Sequence, residues 1–329
     1  MTDKPEGRLR RQIIVGKTLA RGFLTFVPGA DALLSWAARG GVKARYCYSV
    51  WLRHLFHVHR AGTTRYPRAV AELGPGESLG VGLAALLSGA EMYYALDVEP
   101  YVSTSADVRV FDELVALYRQ RAPIPGDEEF PDLFPRLPLY MFPSWILDED
   151  RLQRALGNER IAELRRSVCE PWWSGSRVRY VAPYSLADAI PRDSVDLVFS
   201  QAALCYVENL PEVFRAMRGW LTASGVMSHQ IDFGAVGTAV AWNRHWTYSE
   251  VTWRLMRGRR QCWPTRVPHS AHLRAVTEAG FEVLVNLCAR ASSEVESQEL
   301  APAFRHLSGD DLTTRGALIV ARKTATAWP

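Results

Sequence analysis

The 329-residue chain has little cysteine: Cys47, Cys169, Cys205, Cys262 and Cys288 are scattered, odd in number and never spaced as C-x-x-C. That excludes a disulfide scaffold and a zinc ribbon, and makes a reducing compartment the expectation. Long apolar runs are also missing. No uncharged stretch approaches the ~20 residues that a bilayer span needs. The longest candidate, 78–90, carries three glycines and reads as a buried helix. Near the start, Arg8, Arg10, Arg11, Lys17 and Arg21 interrupt any apolar core of a secretion signal, so a cytoplasmic protein is expected. Charge of one sign does not dominate: 39 Lys and Arg face 35 Asp and Glu. This lacks the dense basic stripe of a nucleic-acid binder, and no nucleic-acid partner is expected. There is no internal repeat and no low-complexity tract. With 48% hydrophobic and 22% charged residues, the chain has the composition of a folded globular protein.

What is present falls into two parts, 1–65 and 66–329. The first sixty residues hold eleven Lys and Arg against three Asp and Glu, and their pattern is helical. Val15, Leu19, Phe23 and Phe26 form one stripe, with Arg10, Lys17 and Arg21 opposite. The favoured reading of 1–65 is a lid or brace packed on the main domain; contact with an anionic membrane surface is the less favoured one. From Arg68 onward short apolar runs alternate with helical patterns, the rhythm of βαβ units and a parallel sheet. Strands are expected at Ala69–Leu73, Met92–Val98, Val178–Ala182, Ser194–Ser200, Val226–Ile231, Glu282–Leu287 and Ala317–Ala321. Helices are expected at Ser78–Ser88, Val108–Arg119, Asp148–Val168, 209–222 and 270–279. Asn209 and Glu212 signal the start of the fourth of these, and Gly225 its end. A proline-rich insertion, 122–176, is expected to cap the sheet. A second, 233–268, is rich in Trp and Arg.

The sharpest chemical signal is Glu72-Leu73-Gly74-Pro75-Gly76-Glu77-Ser78-Leu79-Gly80, between a strand and a helix. Glycines there let the backbone approach a ligand, and the helix start supplies oriented N–H groups. The spacing G-x-G-x-x-x-G is one residue too long for a dinucleotide fingerprint. Gly76-Glu77-Ser78-Leu79-Gly80 also reads as the G-x-S-x-G elbow of a serine hydrolase, with Ser78 as nucleophile.

Glu72 followed by G-x-G at the end of the first strand also resembles motif I of the class I S-adenosylmethionine-dependent methyltransferases. The similarity continues through Asp97 at the end of the second strand and through Ser194-Val195-Asp196-Leu197-Val198-Phe199-Ser200-Gln201. It extends to helix 209–222 with Gly225-Val226-Met227-Ser228, and to Gly316–Arg322 as a terminal antiparallel strand. It covers roughly residues 68–325, with both insertions interrupting it. Five segments in the correct order favour this family over the hydrolase. The resemblance implies a seven-stranded, doubly wound, Rossmann-like α/β sheet. It implies S-adenosylmethionine as cofactor, with S-adenosylhomocysteine as product, held by Glu72, Gly74, Pro75, Gly76, Ser78, Asp97, Val98, Ser200 and Gln201. Asp97 would accept from the ribose hydroxyls, and Ala182–Ser185 would border the adenine. The whole is similar to bacterial small-molecule methyltransferases of carbohydrate or specialised-metabolite pathways, which makes O-methylation the first expectation. Cys205-Tyr206 stands where such enzymes often have Glu-His. A catalytically inactive S-adenosylmethionine-binding protein is the non-enzyme alternative.

Methyl transfer to a hydroxyl needs alignment and removal of a proton. His229 or His245 is the expected base, with Asp232 orienting one of them. Trp242, Asn243, Trp246, Arg257 and Tyr206 are the expected acceptor contacts; Arg259 and Arg260 extend the cationic run beside Arg257. His54, His57 and His59 lie close in sequence but lack a closed ligand set, so no metal is expected.

Overall fold

A computed structural model describes residues 5–26, 42–63 and 65–324. The side chains of Arg8, Arg10 and Arg11 lie outside the described residues. Seven strands form one sheet: β1 (Ala69–Leu73), β2 (Met92–Leu96), β3 (Val178–Val181), β4 (Val195–Gln201), β5 (Leu221–Asp232), β6 (Phe281–Arg290) and β7 (Thr314–Lys323). Their order is β3-β2-β1-β4-β5-β7-β6. β1 to β5 are parallel, and β7 runs against both of its neighbours. Strand order reverses between β1 and β4, so a crevice opens at the carboxyl ends of those two strands, where open α/β sheets bind ligands. This is the seven-stranded α/β sheet that the resemblance implies.

Helices cover both faces: α1 (Pro5–Leu24), α2 (Ala44–Arg60), α3 (Gly80–Leu87), α4 (Thr104–Arg119), α5 (Glu149–Ala155), α6 (Asn158–Cys169), α7 (Leu210–Trp220), α8 (Glu250–Arg257), α9 (His269–Glu278) and α10 (Gly309–Thr313). The strands are apolar on both sides, as a doubly covered sheet requires. Val70, Tyr93, Leu197 and Phe199 face one core with Trp51 and Leu83, while Ala71, Val198 and Met227 face a second with Phe214 and Met217.

Several boundaries differ from expectation for identifiable reasons. The helix expected over Asp148–Val168 is two helices, broken at Leu156 and Gly157, with Gly157 as the N-cap of the second. Gly225 does not end a helix. It lies inside β5, which begins immediately after α7, and an added Cβ would sit 3.0 Å from the Val195 carbonyl oxygen at a register irregularity between β4 and β5. Asn209 does cap α7, accepting from the Glu212 N–H at 3.3 Å.

Within 1–65 the two described helices behave differently. α2 is buried along most of its length and belongs to the main core: Tyr48, Trp51 and Leu52 are fully enclosed. Its Arg53, 1% exposed, staples the proline-rich insertion. The guanidinium donates to the carbonyls of Leu133 (3.2 Å), Pro125 (3.3 Å) and Pro135. Cation and acceptors satisfy one another, which a lone buried charge would not permit. α1 lies instead against α8 in the second insertion.

Candidate functional site

The Glu72–Gly80 turn leads from β1 into α3. Gly74 and Gly76 both have φ of +67°, a conformation that favours glycine. A Cβ on Gly74 would also stand 2.7 Å from that of Ala203. Beside the turn, Asp97 follows β2. Its Oδ2 accepts from the Gly76 N–H at 3.0 Å and its Oδ1 from the Val98 N–H at 2.7 Å. Burial pushes its carboxyl above its ordinary value, against the lowering pull of these backbone donors. The Tyr184 N–H donates to the Asp97 carbonyl at 3.2 Å, which brings the 182–185 segment to the same place. The geometry therefore gathers Gly74, Pro75, Gly76, Asp97 and Val98, together with Tyr184, around one crevice edge.

Three other residues expected there face elsewhere. Glu72 is 2% exposed and accepts from the Tyr93 hydroxyl at 2.5 Å, beneath the turn. Burial pushes its carboxyl up to about 8. Ser78 is buried, its hydroxyl donating to Asp107 at 2.7 Å. That bond engages a carboxylate and no histidine base, so the nucleophile elbow is not assembled. Ser200 is enclosed on the second core face, bonded to His229 Nδ1 at 2.8 Å. These side chains support the crevice and do not line it.

The expected bases are also corrected. His229 is fully buried; its Nδ1 meets Ser200, and desolvation lowers it to about 3. His245 lies 4.5 Å, ring to ring, from Trp246 and 6.3 Å from Trp253, and burial lowers it to about 3 as well. Asp232 bonds to neither ring. Its Oδ1 accepts from the Gly234 N–H at 2.7 Å. Buried imidazoles held neutral in apolar surroundings, away from a cavity, are poor proton acceptors.

Most of the expected acceptor contacts are structural. Trp246 is enclosed and donates to the Arg266 carbonyl at 2.9 Å. Asn243, also enclosed, donates to Ser293 Oγ at 2.9 Å, and Trp242 donates to the Ser292 carbonyl at 3.0 Å. Arg257 pairs with Glu208, and Arg260 stacks on Trp263 at 4.2 Å. Together these residues close satellite cores over the second insertion. Tyr206 is half-buried in the turn after β4.

A cavity of about 340 Å³ lies at the carboxyl ends of β4 and β5, lined by Tyr46, Glu129, Asp132, Gln201, Gln230 and Asp232 among others. Its Gln201–Ala202 wall adjoins Ala203, the residue against Gly74. Gln201 is held from behind by His54, whose Nε2 is 3.3 Å from Oε1 and whose Nδ1 meets Ser228 Oγ at 2.8 Å. Gln230 Oε1 accepts from the Ala202 N–H at 3.1 Å, and Ala202 itself has φ of +52°. A non-glycine residue in that region costs about 1–3 kcal/mol, and such positions cluster in turns that shape a site. Of the expected residues, Gln201 and Asp232 line this cavity. Tyr46, Gln230 and the Glu129–Asp132 turn are additions. The alternation of β5, which turns Gln230 and Asp232 one way and His229 and Ile231 the other, could suggest Gln230, whereas Tyr46 and the Glu129–Asp132 turn arrive from distant segments that carry no local signal. A larger cavity, about 540 Å³, lies at the opposite end of the sheet near Asp196, Ser224 and Arg322, away from the Gly74–Asp97 crevice.

The second insertion reaches the crevice through residues 258–265. The Thr265 N–H donates to the Cys205 carbonyl at 2.7 Å. Burial together with the charges of Asp97 and Glu99 pushes the Cys262 thiol up to about 11. Among the described residues no cluster of three potential metal ligands occurs.

Comparison with known proteins gives likeness in three dimensions alone. No protein-family model matches the sequence, and no curated protein matches it. The chain is similar to a solved S-adenosylmethionine-dependent methyltransferase from Mesorhizobium loti, at 14% identity and a TM-score of 0.39, with 80% of this chain and 96% of that one covered. It is similar to geranyl diphosphate C-methyltransferase from Streptomyces coelicolor at 12% identity and a TM-score of 0.42, covering 83% and 79%. A third is phosphoethanolamine N-methyltransferase 2 from Haemonchus contortus, at 12% identity and 0.41, covering 83% and 52%.

Proposed function

We propose that this chain is an S-adenosylmethionine-dependent methyltransferase acting on a small molecule, with a hydroxyl of a sugar or specialised metabolite as the acceptor. The observation that carries the reading is the latch between Gly76 and Asp97 at 3.0 Å. It sets a positive-φ glycine turn and a carboxylate side by side at the strand-order reversal, which suits a ligand with vicinal hydroxyls and a charged tail. Gly74, Pro75 and Gly76 would hold the amino-acid portion of the cofactor against backbone, Asp97 the ribose, and the Tyr184 segment the adenine. When bound there, the cofactor supplies a methyl group on a sulfonium.

The chain's own contribution is alignment and proton removal. The cavity at β4 and β5 is the acceptor site in this reading, with Gln201 and Gln230 orienting the acceptor by hydrogen bonds. Asp232 takes the acceptor's proton, since it is the carboxylate of β5 that borders the cavity while the neighbouring imidazoles are sealed away. The hydrolase reading is not favoured, because Ser78 is committed to Asp107.

Calorimetric titration with S-adenosylhomocysteine tests the cofactor. Micromolar binding weakened by Asp97→Ala supports the reading, and no binding to the folded protein overturns it. Binding without turnover of any sugar or metabolite acceptor would favour the inactive binding protein.

A further inference from the structure

The first helix is only half used by the fold. Val15 and Leu19 pack with Trp253, Met256 and Trp263, and the backbone of Gly22 meets the carbonyls of Leu255 and Met256. Gly258 in turn meets Gly22 and Thr25, so α1 and α8 touch backbone to backbone at this crossing. Large apolar side chains remain in water on the same element pair: on α1 and the turn after it Ile13 (46%), Phe23 (57%), Leu24 (45%) and Phe26 (53%), and on α8 Val251 (69%) and Leu255 (42%). Scattered exposed leucines need no explanation, but two exposed phenylalanines beside this crossing do.

Cations accompany them. Lys17 and Arg21 are exposed on α1, and residues 12–26 contain no acid. The Arg259 guanidinium stands 5.0 Å over the Phe26 ring. On α8, Glu250 is engaged by Arg254 and Arg266. The surface is therefore apolar at its centre and positive around it. That pairing matches the bilayer interface, where aromatic rings sit at headgroup level and each Lys or Arg near an anionic surface is worth about 1 kcal/mol. Among the described residues no helix is long and apolar enough to cross a membrane, so the contact is peripheral.

We infer that the α1–α8 face docks on an anionic lipid surface, with Phe23, Leu24, Phe26 and Leu255 entering the interface and Lys17, Arg21 and Arg259 meeting the headgroups. The full chain is sedimented with vesicles of phosphatidylcholine alone and of phosphatidylcholine mixed with phosphatidylglycerol. Co-sedimentation with the mixed vesicles only, weakened by salt, is expected. Lys17→Glu with Arg21→Glu lowers the partitioning by at least about tenfold, two charges lost near the surface, and Phe23→Ser with Phe26→Ser lowers it as well. All four side chains are exposed, so the variants stay folded, which circular dichroism and the thermal midpoint verify. Wild-type protein that ignores the mixed vesicles, or variants that bind them equally, overturns the inference. So does a dimer in light scattering that the Phe variant dissolves while vesicles go unbound, which would assign the face to a second copy.

Discussion

The Gly76 N–H and the Asp97 carboxylate meet at 3.0 Å, so the turn after β1 is tied to the end of β2 by the same side chain that faces the crevice. In the proposed function Asp97 has two tasks, holding the turn and presenting an oxygen to the cofactor. Asp97→Asn keeps a side-chain oxygen for the Gly76 donor but gives up the charge, whereas Asp97→Ala gives up both. Affinity for S-adenosylhomocysteine is expected to fall for both, by about tenfold or more for alanine and less for asparagine, since a hydrogen bond to a charged group is worth about 1.5–3 kcal/mol. Titration calorimetry on the two variants checks the order.

Gly74→Ala places a Cβ 2.7 Å from that of Ala203 on a backbone with φ of +67°. The turn must shift, at a cost of about 1–3 kcal/mol. A lower thermal midpoint and weaker cofactor binding are expected together. Unchanged affinity would show that this turn does not touch the ligand.

Asp232→Asn is expected to lower kcat by about a hundredfold or more, the usual contribution of a positioned base, while leaving S-adenosylhomocysteine affinity intact. His229→Asn removes a ring whose Nε2 has no partner and is sealed from the cavity. It is expected to lower stability with kcat retained in the remaining folded protein. If instead His229→Asn abolishes turnover at full stability, the assignment to Asp232 fails.

Burial lowers His54, His229, His245 and His272 to about 3 and His57 to about 4. Each is neutral in the fold but binds a proton in the unfolded chain below about pH 6.5. Unfolding therefore takes up protons, and stability falls as pH drops from about 6.5 toward 4, by up to about 1.4 kcal/mol per pH unit for each ring. Glu72 acts oppositely. Its folded carboxyl, raised to about 8, keeps a proton that the unfolded chain releases near its ordinary value, so its contribution is lost as pH rises through that window. Urea midpoints between pH 5 and 9 should pass through a maximum. Glu72→Gln should flatten the alkaline side, because the amide oxygen still accepts from Tyr93 and nothing titrates.

Arg53→Met should strip the proline-rich insertion of the donor that serves the Leu133, Pro125 and Pro135 carbonyls. Each buried acceptor left alone costs about 1–3 kcal/mol. A loss of several kcal/mol and early proteolysis within 124–137 are expected, and limited digestion followed by mass spectrometry would locate the cut.

The sheet was legible because its signals are local. Apolar runs at Ala69–Leu73 and Met92–Val98, a glycine turn and the Asn209 cap each state their role within a few residues. The second half of the site was not, because its meaning depends on which way a side chain faces. His229 and Gln230 are neighbours in sequence, but the strand sends one into a sealed core and the other to the cavity wall. Chemistry alone favours the histidine. Trp242 and Trp246 misled for a related reason: an aromatic ring suits stacking on a ligand and filling a satellite core equally well, and only the partners of their indole N–H groups tell the two apart. Arg53 reads in sequence as an ordinary helical cation, since the carbonyls it serves lie 72 or more residues away.

The crossing of α1 over α8 is backbone against backbone at Gly22 and Gly258, with no long side chain between them to absorb displacement. The strand of coil leaving that crossing runs directly to Cys262 and Thr265, beside Asp97 and Cys205. Residues 258–265 therefore join the contact between the first helix and α8 to the edge of the Gly74–Asp97 crevice in one short segment, so a substitution at Gly258 is felt on both sides of it.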